Sequence, residues 1–230
     1  MSGGHGHVEH GGNKLGIPTV NGSIVFDDRF LGKPLVYCGT VGIMPSKING
    51  ENSAEKVVND GDFAVMCGGR VGRDGIHGAT FSSEELHAGS PVAAVQLGDP
   101  ITQKRMMDFL LEARDLGMFR ALTDNGAGGL SSSVGEMAQF SGGCELWLDK
   151  PPLKYAGLDP WEILVSESQE RMTIAVAPNK YDEFKKLASQ RGVDCTAVGK
   201  FTNSGKFICT YNGRPSPALR WDSCTTACPR

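Results

Sequence analysis

"FRALTDNGAGGLSSSVGEM" occupies residues 119–137 and decides how the rest of the chain is read. An apolar run from Phe119 to Thr123 has strand character and breaks at Asp124. Gly126, Gly128 and Gly129 follow, and a helix is predicted over Ser131–Phe140. A strand, a carboxylate, a glycine turn and a helix together form a building unit of layered α/β structure. A helix N-terminus offers unpaired N–H groups and partial positive charge, which suit a phosphate or another anion. Asp124 at the strand end can hold Mg²⁺, a hard cation that takes oxygen ligands beside phosphates. It can equally do no more than cap the turn, and the residues alone leave both readings open.

The flanking chain repeats the alternation. Apolar, β-branched runs bounded by turn residues predict strands at Leu35–Met44, Phe63–Cys67, Val92–Leu97, Cys144–Leu148, Met172–Ala177 and Phe207–Tyr211. In "DPITQKRMMDFLLEARDLG", Asp99 is the N-cap, Pro100 the first helical residue and Gly117 the stop. Ile101, Met106, Phe109, Leu110, Ala113 and Leu116 recur near the 3.6-residue period, so one face packs inward. "NKYDEFKKLASQRG" does the same with Tyr181, Phe184, Leu187 and Ala188, closed by Gly192. A shorter helix is predicted at Pro160–Val165. The expected class is α+β with α/β layering, and "YNGRPSPALRWDSCTTACPR" is expected to be irregular.

The 230 residues suffice for one large domain or two small ones, and 40% hydrophobic with 21% charged is ordinary globular composition. A net charge of -3 argues against a broad nucleic-acid or membrane surface, and no apolar run reaches the roughly 20 residues a bilayer requires. Seven scattered cysteines make an odd count; only Cys224 and Cys228 are close, a poor zinc signature. Reduced thiols in a cytoplasmic protein are expected. Residues 1–10, with His5, His7 and His10, read as a flexible segment. The strand-like "GGNKLGIPTVNGSIVFDD" so near the start suggests a domain of a longer chain.

Three further stretches carry polar groups in unusual settings. "CGGRVGRDGIHGATFSS", Cys67–Ser83, has five glycines among Arg70, Arg73, Asp74 and His77. It reads either as a passive surface loop or as one that lets something approach the backbone. "VSESQERM", Val165–Met172, interrupts an apolar helix-then-strand pattern with five polar residues, Glu167 to Arg171. "VQLGDP" places Gln96 at a predicted strand end, where α/β sheets tend to expose binding groups. No P-loop, no strand-borne G-x-G-x-x-G and no Ser-His-Asp order is present.

"GGRVGRDGIHGATFSS", "VQLGDP", "TDNGAGGL" and "DPWEILVSESQERM", in this order, resemble the large-subunit type of phosphoribosylformylglycinamidine synthase. "GNKLGIPTVNGSIVFDDRF" is similar to the segment leading into them, so the likeness runs from about Gly11 to Val176. It implies that residues 11–230 are the C-terminal-type domain of the first half of such a synthase, a mixed sheet packed with helices as in aminoimidazole ribonucleotide synthetase. The implied reaction uses ATP, Mg²⁺ and glutamine-derived ammonia to turn formylglycinamide ribonucleotide into its amidine in the cytoplasm. By motif, Gln96, Glu167, Ser168 and Gln169 would contact substrate and Asp124 would bind Mg²⁺. Gly69, Arg70, Gly72, Arg73, Asp74, Gly75, His77 and Gly78 would form a loop over an anion or against a neighbouring domain, with His77 in a structural role.

The family's catalytic histidine and its ATP-contacting Lys and Tyr lie in a preceding domain with no counterpart here. The chain is therefore expected to be inactive alone and to need the remaining synthase domains and a glutaminase; a homodimer is a further expectation. The alternatives are a thiamine-phosphate kinase or selenophosphate synthetase type enzyme of the same superfamily, or a non-catalytic phosphate-binding or assembly module.

Overall fold

The structure, a computed structural model, describes residues 11–31, 35–76 and 98–215, and the backbone of 219–220. Two short strands, β1 (Lys47–Ile48) and β2 (Glu51–Asn52), form a small hairpin. The main elements then run β3 (Phe63–Gly68), α1 (Pro100–Asp115), β4 (Ala121–Asp124), α2 (Gly129–Ser141) and β5 (Cys144–Trp147). They continue with α3 (Pro160–Val165), β6 (Arg171–Val176), α4 (Tyr181–Gln190), β7 (Cys195–Phe201), β8 (Lys206–Tyr211), β9 (Arg214–Pro215) and β10 (Leu219–Arg220). Eight strands make one sheet in the order β10-β8-β5-β7-β3-β6-β4, with β9 paired to β8. The β5–β8 pair is parallel and the other pairs are antiparallel, so the sheet is mixed and the class α+β.

The period-2 alternation of a strand explains the layering. Along β3, Ala64 and Met66 enter one core with Leu130, Val134, Met137 and Ala138 of α2 and Ile163 of α3. Val65 and Cys67 enter the other, with Met106, Phe109, Leu110 and Ala113 of α1 and Phe184, Leu187 and Ala188 of α4. A strand covered on both faces needs apolar residues at every position, which is why "FAVMC" reads as an unbroken apolar run. Helix α1 starts as its sequence demands: the Asp99 carboxylate accepts from the Ile101 N–H at 3.1 Å and the Thr102 hydroxyl at 2.7 Å, with Pro100 next to the cap. Helices α1 and α4 lock together through Phe109 and Phe184, edge to face at 4.9 Å.

Two expectations fail here and one central strand goes unanticipated. Leu35–Met44 is not a strand but exposed coil, with Tyr37 87%, Val41 98% and Ile43 100% accessible. Strand propensity is realised only where a second strand takes up the ladder hydrogen bonds, and no described strand pairs with this stretch. Cys195–Phe201, unclaimed by pattern because Gly199 and Lys200 interrupt it, is a central strand paired with both β3 and β5. The tail expected to be irregular contributes β9 and β10 to the sheet edge. Val92–Leu97 lies outside the described residues. The other predicted strands and helices are present, with ends shifted by a residue or two.

Candidate functional site

Residues 166–170, joining α3 to β6, are the part of the chain on which the other glycine-rich segments close. The first cause is Arg171, 3% accessible at the start of β6. Its guanidinium donates to Ser168 O at 2.7 Å and to Ser166 O, folding the loop back over its own side chain. Burial lowers its pKa to about 10, with the Asp74 carboxylate acting in the opposite sense, so it remains a cation at neutral pH.

Two glycines let backbone press onto this loop from either side. At Gly129 (φ +55°) a Cβ would stand 2.1 Å from Ser166 O, and at Gly68 (φ +102°) another would stand 2.1 Å from Glu170 O. Each combines a left-handed backbone with a contact that excludes any side chain. The glycines of "TDNGAGGL" and "CGGRVGRDG" thus serve a shared contact, which no local pattern could show.

The loop's own side chains are then fixed. Buried Glu167 accepts from the Gly128 N–H at 3.1 Å, so a carboxylate of the chain itself meets the start of α2, where the sequence suggested an external anion. The fully buried Ser168 hydroxyl donates to Asp74 and accepts from the Gly72 N–H at 2.9 Å. Gln169 donates from Nε2 to Glu167 O at 3.0 Å. The Asp74 carbonyl accepts from the Glu167 N–H at 3.0 Å, while its carboxylate is also bound by Lys154. Burial pushes the Asp74 carboxyl up, but the Lys154 ammonium and Ser168 hydroxyl outweigh it and hold the group below its usual range.

The rest of the 69–76 segment braces rather than reaches out. Gly69 donates to Glu170 O at 2.9 Å, and Arg70 pairs loosely with Asp194 at 3.5 Å on the surface. Arg73 bonds Glu162 at 2.9 Å and Gly157 O at 3.0 Å, and its N–H donates to the Tyr155 hydroxyl at 2.8 Å. Gly75 turns the chain at φ +67°. Gln96, His77 and Gly78 lie outside the described residues.

Asp124 is exposed at the end of β4. Its Oδ1 accepts from the Gly126 N–H at 2.9 Å, the turn-capping role anticipated as one alternative, and no hydrogen bond engages Oδ2 among the described residues. No group of three or more His, Cys, Asp or Glu able to enclose a metal occurs among those residues. Two depressions meet at the loop. One, of about 210 Å³, is lined by Asp124, Asn125, Gly126, Gln103, Gln169 and Glu170. The other, of about 370 Å³, is lined by Gly68, Gly69, Asp99, Lys154, Gln169 and Glu170 among others. Gln169 and Glu170 belong to both. Glu170 and Arg171 belong to the polar run singled out in the sequence but were given no role there, and Lys154 was missed, with no local signal to mark it.

Residues 59–212 match the family model described as AIR synthase related protein, C-terminal domain. The chain is 40% identical over 203 residues to phosphoribosylformylglycinamidine synthase subunit PurL of Staphylococcus haemolyticus, covering 87% of this chain and 27% of that one. It is 40% identical over 198 residues to the subunit of the same name from Methanopyrus kandleri, covering 84% and 27%. The chain therefore spans about a quarter of the length of these curated relatives. Among solved structures, T. maritima PurL complexed with FGAR superposes with a TM-score of 0.77 at 26% identity, over 93% of this chain and 35% of that one. T. maritima PurL complexed with ATP gives 0.71 at 23%, a likeness of fold. No helix among the described residues is long and apolar enough to cross a membrane. A match over two thirds of its length makes this chain a member of the AIR synthase related C-terminal domain family, in the form found in PurL-type phosphoribosylformylglycinamidine synthases.

Proposed function

We propose that this chain is the substrate-holding part of a cytoplasmic ligase that converts formylglycinamide ribonucleotide, ATP and glutamine-derived ammonia to formylglycinamidine ribonucleotide, ADP, phosphate and glutamate. The observation that carries this reading is that Asp124 and Gln169, 45 positions apart, line one depression beside a loop locked by Arg171. T. maritima PurL complexed with FGAR, the structure of matching fold, supports the choice of substrate.

In this reading the substrate amide oxygen attacks the terminal phosphorus of ATP, ADP leaves, ammonia adds to the activated carbon and phosphate departs. Such chemistry depends chiefly on positioning and on neutralising charge. The Gln169 amide orients the ribonucleotide from a loop that Glu167 and Ser168 hold in shape, and Gln96 is assigned a further substrate contact. Asp124 Oδ2, engaged by no hydrogen bond among the described residues, fits a single ligand to Mg²⁺, an ion usually held by one or two carboxylates with phosphates and water completing its shell. The metal's contribution when bound is to screen the phosphates. The 69–76 segment braces the loop, and the ATP-contacting groups come from the remaining synthase domains, with ammonia from a glutaminase; a homodimer is compatible with the scheme.

Calorimetry of this chain with formylglycinamide ribonucleotide and, separately, with ADP tests the reading. Ribonucleotide binding that Gln169→Ala weakens at least tenfold is expected, with no turnover until the missing domains are added. Binding of ADP alone would replace this reading with a non-catalytic nucleotide-holding module.

A further inference from the structure

Glu170 follows the residues assigned to substrate and has no role so far. Its φ of +55° puts a non-glycine residue in the left-handed region, which L side chains seldom occupy and which collects at functional positions. The neighbouring chain accommodates this on two sides. Its carbonyl accepts from the Gly69 N–H at 2.9 Å, in space open only because Gly68 has no side chain. Its carboxylate extends the other way: Oε1 lies 3.2 Å from where a Cβ on Gly98 would stand, beside the Asp99 N–H that opens α1. Gln169 immediately precedes it, and both residues line both depressions.

We propose that Glu170 is a positioning residue for the ribonucleotide: its backbone clasps β3, its carboxylate clasps the start of α1, and between these two holds the Gln169 amide is aimed into the site. The inference rests on the function proposed above, and it reaches further by linking the loop to Gly98 and Asp99 at the start of α1. Half-burial pushes the Glu170 carboxyl up, the Asp99 N–H favours its charged form, the Asp99 carboxylate opposes it and Lys154 favours it again. The side chain stands against Gly98 and Asp99, the residues that lead into α1.

Glu170→Gly separates the two holds, because glycine keeps the left-handed backbone and loses the carboxylate. Glu170→Gln keeps an acceptor oxygen of the same reach. Solvent exchange of the Gln169 side-chain amide protons, read by NMR without ligand, reports its bond to Glu167 O, and calorimetry reports affinity for formylglycinamide ribonucleotide. The expected result for Glu170→Gly is an unfolding midpoint at or above wild type, faster Gln169 amide exchange and at least fivefold weaker binding. Glu170→Gln should restore both. A Gln169 amide in Glu170→Gly that exchanges as in wild type overturns the positioning role, whatever the affinity. If the wild-type chain ignores the ribonucleotide while the amide still responds to Glu170→Gly but not to Glu170→Gln, the positioning stands and the function proposed above falls.

Discussion

Two regions of this molecule invert the usual partition of residues. The 166–171 loop buries Ser166, Glu167, Ser168 and Arg171, whereas the arm from Ile17 to Met44 exposes Val20, Val25, Phe26, Leu31, Tyr37, Val41 and Ile43. A buried polar group and an exposed apolar patch are each more informative than their opposites. The difference between the two lies in partners. The buried polar side chains of the loop all have partners, Glu167 and Ser168 from other segments and Ser166 and Arg171 within the loop itself, so burial costs them little. The arm's apolar side chains stand exposed instead. The loop is a satisfied contact and the arm an exposed apolar one.

The comparison breaks most visibly at Arg171. Arg171→Ala removes donors from two buried carbonyls and leaves a void, so urea denaturation should show a loss of about 3–5 kcal/mol together with loss of ribonucleotide binding. Wild-type stability would mean that the loop holds its shape without its cation. Gly129→Ala imposes a Cβ 2.1 Å from Ser166 O on a left-handed backbone and should cost about 2–3 kcal/mol by the same measurement.

Asp74→Asn should cost about 1–2 kcal/mol at pH 7 through its bonds to Ser168 and Lys154. Because folding lowers the Asp74 pKa, its contribution is present above the unfolded value of about 3.9 and is lost as pH falls through the folded one. The gap between wild type and Asp74→Asn should therefore close on acidification below about pH 4; a gap that widens there would contradict the assigned bonds.

The arm predicts the opposite of all three. Deleting residues 1–44 should shift the stability of the packed body by no more than about 0.5 kcal/mol while sharply reducing binding of an apolar dye and any self-association. A large loss of stability would show that the arm is packed after all. The smallest effect is chemical. Of the five described cysteines, Cys38 in the arm should label rapidly with a thiol reagent in the native state. Cys67, Cys144, Cys195 and Cys209 should label only on unfolding, Cys209 having its pKa raised to about 11 by burial. Mass mapping of the labelled peptides checks this.

Much of the architecture was legible in the residues. Asp99 with Pro100, the 3.6-residue spacing of Met106, Phe109, Leu110 and Ala113, and the runs at Phe63 and Met172 each carry their own signal. Local propensity, capping and periodicity act over a few residues, and so does the reading of them. Sequence also marked Asp124 by its place between a strand and a glycine turn, and Glu167, Ser168 and Gln169 by a polar run, with resemblance assigning their roles. Tertiary structure decided the rest. Which apolar run becomes a strand depends on a neighbour to complete its ladder, so Leu35–Met44 stays free while Cys195–Phe201, with a poorer pattern, sits at the sheet's centre. Likewise, only long-range contact could show that Gly68 and Gly129 press on one loop and that Asp74 and Lys154 stand beside it. Those relations join segments tens of residues apart, and hydrogen bonds and close packing, being short-ranged, exist only once the chain has brought the segments together.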